Sequence, residues 1–174
     1  TSSGTGTFTN ANSLTLCTYN PSAADRTAGS VTLTLTAMSP GCTNGLSNKT
    51  LTIRAAATAV AGPTVNVCSG GSSDITAGSS ASNYSTVTWT SSGTGTFTNP
   101  NSLTTATYDP SPADITAGSV TLTLTATGNA PCADAISTKS FIINTPVTAD
   151  AGTAVSTCST SSAINITTGA SATN

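Results

Sequence analysis

The sequence predicts an all-β protein made of tandem immunoglobulin-like β-sandwich repeats of about 90 residues. Three observations carry this. Thr1–Ala37 (TSSGTGTFTNANSLTLCTYNPSAADRTAGSVTLTLTA) and Thr90–Ala126 (TSSGTGTFTNPNSLTTATYDPSPADITAGSVTLTLTA) are near-identical, which marks a duplication with a fixed period. Apolar residues alternate with Thr in short runs, and β-branched side chains favour extended backbone. Gly and Pro separate those runs, as turns require.

The repeat offset is about 89 at its start and about 90 from Cys42/Cys132 and Lys49/Lys139 onward, so a loop has gained one residue. Cys68 and Cys158 match in AVAGPTVNVC and ADAGTAVSTC. This register divides the chain into three parts. Residues 1–58 are the closing part of a repeat whose opening strands belong to a preceding copy. Residues 59–145 are a complete repeat, and residues 146–174 are the opening strands of the next.

Within the complete repeat the first strand is expected at Thr64–Cys68, with a short one near Ile75. The third, Ser85–Thr90, puts Val87 and Trp89 on one face and Thr on the other. A bend at Gly93 and Gly95 leads to a short strand around Phe97, and Leu103–Tyr108 follows. A long turn, DPSPADITAG, enters the strongest strand, Ser119–Thr125, with Val120, Leu122 and Leu124 facing one way. The last strand is Ser137–Ile143. One apolar face per strand suits a two-sheet core, with Trp89, Phe97, Tyr108, Val120, Leu122 and Leu124 inside it.

Composition excludes several functions. Charged residues make up 6% of the chain, against roughly 25% in an ordinary soluble domain. With four Lys and Arg and a net charge of -2, no clustered cations exist to release counterions from nucleic acid or to hold anionic membranes. No run of about 18 apolar residues could span a membrane. His is absent, so a Ser-His-Asp arrangement cannot be assembled. Asp109 and Asp114 are the only close carboxylate pair and the only weak metal candidates. The first copy has Asn20 in place of Asp109, so neither glycoside hydrolysis nor a Ca²⁺ site is expected, and Asp114 reads as the cap of a turn. No catalytic residue, cofactor or metal is expected. The VTLTLTA run reads as a strand with one wet face rather than an ice-binding array. Asn48, Asn83 and Asn165 head sequons that matter only in a glycosylating secretory route.

Five Cys without a C-x-x-C pair suggest disulfides in an oxidising space. Cys68 and Cys132 share the complete repeat and are expected to pair. Cys42 and Cys158 would then pair with neighbouring copies. Cys17 stands where the second copy has Ala106, so it is either a buried free thiol or an inter-subunit link.

The W-T-x-S-G-x-G-x-F run from Trp89 to Phe97 and the Y-x-P-S-x-x-D turn from Tyr108 to Asp114 resemble the tandem PKD-like or immunoglobulin-like repeats of very large Bacteroidota surface proteins. Gliding-type adhesins and substrates of the type IX secretion system carry such repeats. The resemblance spans essentially the whole chain and implies a stalk module rather than an activity. Both lines of reading predict a non-catalytic segment of an extracellular filament or adhesin stalk at a cell surface. Its partners would be neighbouring copies of the same repeat, in one continuous chain or by strand exchange, and surface glycans are possible ligands. The alternative is a carbohydrate- or protein-binding module acting through sandwich-end loops such as Gly128–Asp134, which differ between copies.

Overall fold

The computed structural model describes residues 1–69, 71–160 and 163–173. Ser161, Ser162 and Asn174, within the segment read as opening strands, lie outside the described residues. The protein is all-β, mostly strands with two short helices among the described residues. In chain order the elements are β1 (Thr7–Thr9), β2 (Thr18–Asn20), α1 (Ala23–Ala28), β3 (Ser30–Ala37), β4 (Gly45–Thr52), β5 (Thr58–Val60), β6 (Val65–Cys68), β7 (Ser73–Asp74), β8 (Ser80–Ser82), β9 (Tyr84–Ser91), β10 (Thr96–Thr98), β11 (Thr107–Asp109), α2 (Pro112–Ala117), β12 (Ser119–Gly128), β13 (Ala135–Asn144), β14 (Thr148–Asp150) and β15 (Ser171–Thr173).

The chain divides into two compact units. One comprises Thr1–Ala59, Ala81–Thr86 and Ala126–Ala135; the other comprises Val60–Ser80, Val87–Thr125 and Ile136–Asn174. A four-stranded sheet runs β6-β13-β12-β9, and a three-stranded sheet runs β10-β11-β7. β6 lies parallel to β13, with Val65 opposite Phe141 and Cys68 opposite Asn144. Alternation along these strands sends Val87, Trp89, Val120, Leu122, Leu124, Phe141 and Ile143 inward, where they meet Ile75, Ala106 and Tyr108. Tyr108 sets its ring 4.8 Å from Phe97 and 5.4 Å from Phe141, tilted and edge-on, the arrangements that ring quadrupoles favour. Trp89 also meets its polar requirement, since its indole N–H donates to the Ser102 carbonyl at 3.2 Å.

The first copy repeats part of this. β1 pairs with β2 in the register that joins β10 to β11: Phe8 opposes Tyr19 as Phe97 opposes Tyr108. β3 pairs with β4 from Ser30–Thr52 to Ala37–Gly45. Thr1–Ser3 run antiparallel along β3, through a Ser2–Leu33 bridge and the Ser3 N–H on the Thr32 carbonyl at 2.9 Å. Ser92 makes the matching bond to Thr121 at 2.9 Å, immediately after β9.

Several expected boundaries move. The strand expected at Leu103–Tyr108 shortens to Thr107–Asp109, because the preceding residues form turns in which Ser102 Oγ accepts the Thr104 and Thr105 N–H groups. The turn DPSPADITAG contains a six-residue helix, α2, as its counterpart in the first copy contains α1. Strands β5 and β8 are additional to those expected.

Candidate functional site

Each copy builds the same polar clamp around one aspartate. Ser111 is the N-cap of α2: its Oγ accepts the Asp114 N–H at 3.1 Å, while the Asp114 carboxylate accepts the Ser111 N–H at 3.0 Å. This is a reciprocal capping box, with Asp in the place usually held by Glu or Gln. The same carboxylate takes the Tyr108 hydroxyl at 2.7 Å, the Thr94 N–H at 3.0 Å and the Gly95 N–H at 2.8 Å. A Cβ on Gly93 would strike Asp114, which is why the Gly-Thr-Gly bend carries no side chain there. Asp25 receives the matching bonds from Ser22, Tyr19, Thr5 and Gly6. Burial pushes the Asp114 carboxyl up, but the bonds from Ser111, Tyr108 and Thr94 outweigh it and hold it at about 2. The Ser22 N–H dominates at Asp25, with burial opposing it and Tyr19 and Thr5 assisting, again to about 2.

These bonds determine what the acidic residues can do. The four groups donating to Asp114 belong to the fold, so the carboxylate is occupied by the chain itself. Asp109, the second weak metal candidate, is exposed and outside the clamp. Among the described residues no three His, Cys, Asp or Glu side chains come together as a metal-binding group. Likewise no helix is long and apolar enough to cross a membrane among the described residues.

Lys139 is the second unusual group. It is buried on β13, donates its ammonium to the Ile75 carbonyl, and lies 4.9 Å from the centre of the Trp89 ring. The ring face and the carbonyl replace part of the water it has lost. Burial pushes its pKa down, against a smaller upward pull from Asp74. Trp89 itself lies inside the core, so it offers no stacking face for a sugar.

The sharpest functional contrast lies between equivalent positions of the two copies. In the second copy Leu122 and Leu124 are fully buried, Lys139 is buried and Ala106 has no exposure. Their counterparts in the first copy are Leu33, which is half-buried, Leu35, which is 54% exposed, and Lys49 and Cys17, which are both exposed. Leu14 is 86% exposed. Phe8, Leu14, Cys17, Leu33, Leu35 and Lys49 line an open groove of about 370 Å³. In the second copy Ile75, Val87 and Trp89 belong to the buried cluster that includes Leu122 and Leu124. Val31 and Val120, beside the clamps, are buried in both copies, so the contrast begins only where the clamp ends.

The cysteines require a correction. All five are free thiols, and Cys68 and Cys132 do not pair. Cys68 is in register with Asn144, the last residue of β13, whereas Cys132 precedes that strand's first residue. Roughly 30 Å of extended strand separates the two levels, while a disulfide needs Cα atoms within about 7 Å. Sequence spacing assigns both to one repeat, but it cannot show that β6 runs parallel to β13. Cys132 instead donates from Sγ to the Arg54 carbonyl at 3.6 Å.

No protein-family model matches the chain, and neither does any curated protein. The expected core residues Trp89, Tyr108, Val120, Leu122 and Leu124 are buried, and Phe97 is half-buried against Tyr108. The groove was foreshadowed by the repeat register alone. The roles of Tyr108 and Lys139 were not, although the Tyr-x-x-Ser-x-x-Asp spacing, present in both copies, was the available signal for the clamp.

Proposed function

We propose that the chain is a non-catalytic structural segment of an extracellular filament or adhesin stalk at a bacterial surface, built from immunoglobulin-like sandwich repeats that complete one another in series. The bare groove of the first copy carries this reading. A sequence that is sealed in one copy and open in the other needs further chain, and the second copy names it: the segment from Val60 to Trp89, which supplies β6 to β9. The groove's occupant is therefore the equivalent opening segment, supplied by a preceding copy to complete the repeat that residues 1–58 close. Apolar strand faces are not left open in native folds, because exposed edges and faces recruit other chains. The low charge, the absence of clustered cations and the resemblance to Bacteroidota surface repeats suit an extended stalk.

Cys17 supplies a built-in reporter, since it lines the groove where the second copy has buried Ala106. The test replaces every cysteine except Cys17 by Ser, including the Cys68 equivalent in the added segment, and compares this chain with one extended upstream by a copy of Val60–Trp89. Alkylation of Cys17 should be fast in the first and strongly slowed in the second. Equal rates in both would sink the reading.

A further inference from the structure

The two cysteine positions of a repeat lie at opposite ends of one strand. Cys68 sits beside the last residue of β13, from which the chain continues to β14. Cys132 sits in the turn before the first residue of β13, with its N–H on the Asn129 carbonyl at 3.0 Å. Neither can reach the other, and each lies at a different junction of the array.

The partner of Cys132 follows from a matched pair of hydrogen bonds. Ile53 N–H donates to Gly29 at 2.8 Å, and Ile143 N–H donates to Gly118 at 2.8 Å, so Arg54 and Asn144 hold equivalent places. Asn144 has Cys68 as its register partner, and its carbonyl accepts the Ser69 N–H at 2.8 Å. The corresponding Cys-Ser peptide of the opening strands that complete the first copy would therefore lie beside Arg54 and donate to the Arg54 carbonyl. That carbonyl is the one the Cys132 thiol already approaches, at 3.6 Å. Two thiols thus converge on a single peptide group. Cys68 is exposed and Cys132 half-buried, so the matching sulfurs are open to exchange.

We infer that the opening-strand cysteine of each repeat is bonded to the loop cysteine of the repeat that follows, so that disulfides staple consecutive repeats instead of closing each one. The inference rests on the array reading above. It assigns Cys68 and Cys158 to loop cysteines further along the array, and Cys42 and Cys132 to opening strands further back. Formation removes two protons and two electrons from the thiols as the S–S bond forms. A disulfide of a thiol oxidoreductase, or oxidised glutathione, accepts them and leaves as two thiols. The staple ties the strand that seals one repeat to the body of the next. Tension along the stalk then cannot peel that strand away without breaking a covalent bond.

The test uses two full copies of the chain in tandem, joined by a YSTVTW bridge equivalent to Tyr84–Trp89, carrying Cys17→Ser and refolded in a glutathione redox buffer. Digestion without reduction and mass spectrometry read the linked peptides. The staple predicts that Cys68 is linked to Cys42 of the second copy, and Cys158 to Cys132 of the second copy. Closure within repeats predicts Cys68 with Cys132, and Cys158 with Cys42 of the second copy. Because the four peptides differ in sequence, the two patterns cannot be confused. The single chain under the same conditions should contain no Cys68–Cys132 bond. Within-repeat pairing, or free thiols throughout a folded tandem, overturns the inference. Electron microscopy of the tandem separates the two failures: a rod with free thiols loses the staple alone, whereas a tandem whose repeats stay separate loses the array as well.

Discussion

Asp114 shows how a polar, weakly charged chain fixes its loops at the scale of single residues. One buried carboxylate satisfies three backbone N–H groups and a tyrosine hydroxyl, each a donor that would be costly to bury unpaired. Asp114→Asn should destabilise the protein by about 2–3 kcal/mol at neutral pH, the scale of hydrogen bonds to a buried charge. Because the folded pKa, about 2, lies below an unfolded value near 3.9, the carboxylate's contribution is complete above about pH 4 and is lost as pH falls toward 2. Urea midpoints measured from pH 7 to pH 2 should show that loss in the wild type. It should shrink in Asp114→Asn and shrink further when Asp25→Asn is added, since Asp25 is held the same way, leaving the part due to Asp74, whose carboxyl the Thr76 hydrogen bonds hold down. Lys139 titrates in the opposite sense to a salt-bridged lysine. Its folded pKa lies below the unfolded value, so between the two the unfolded chain binds the extra proton and stability rises with pH. Above about pH 10 the trend reverses, because burial pushes the Tyr108 hydroxyl up and leaves its ionisation to the unfolded chain. Lys139→Met should flatten the alkaline rise at a modest cost, keeping the stem against Trp89. Lys139→Ala should cost about 2–4 kcal/mol, adding a cavity to the orphaned Ile75 carbonyl. Denaturant melts at pH 7, 9 and 10 check both. The sequence placed Trp89 and Tyr108 inside through alternation and size, but a lone lysine among Thr residues gives no periodic signal that its head group is buried.

At the scale of elements the helices carry the lesson. α1 and α2 are six residues each, far too short to stand alone, and exist because both ends are tied. Ser22 and Ser111 cap the starts, and Gly29 and Gly118 end them with φ near +75°, where other residues are strained. Ser111→Ala should cost about 1 kcal/mol and Gly118→Ala a similar amount, each seen as a lower melting temperature without loss of the sheet signal in circular dichroism. An unchanged melting temperature in both would mean that the helix is not held by its caps. In the sequence these residues read as a turn, because a single helical turn shows no 3.6-residue periodicity and Asp-Ile-Thr-Ala-Gly has strand-like composition. The long strands β9, β12 and β13 were legible because their alternation persists for eight to ten residues. Strand direction was not legible. Spacing says which repeat a cysteine belongs to, while the parallel pairing of β6 with β13 puts Cys68 at the far end of β13 from Cys132.

On the scale of the whole molecule, equivalent leucines of the two copies should differ in worth. Leu124 is fully buried and Leu35 is 54% exposed, although both come from the run SVTLTLTA. Truncating a buried leucine costs about 2–5 kcal/mol, because transfer energy is lost and a cavity remains; a half-exposed one loses little of either. In the isolated chain Leu124→Ala should therefore lower stability by about 3 kcal/mol, and Leu35→Ala by less than about 1 kcal/mol. When the chain is extended upstream by a copy of Val60–Trp89, Leu35→Ala should rise to the cost of Leu124→Ala, because Trp89 and Val87 equivalents would then cover it. Leu124→Ala should hardly change, since its own cover is already present. Denaturant unfolding of all six proteins reads the two differences directly. A Leu35→Ala cost that stays small in the extended chain would show that the groove is not filled by the opening strands of a preceding copy. That result would remove the physical support for the proposed series, since the burial that Leu35 and its neighbours lack is what would hold the opening strands of a preceding copy against residues 1–58.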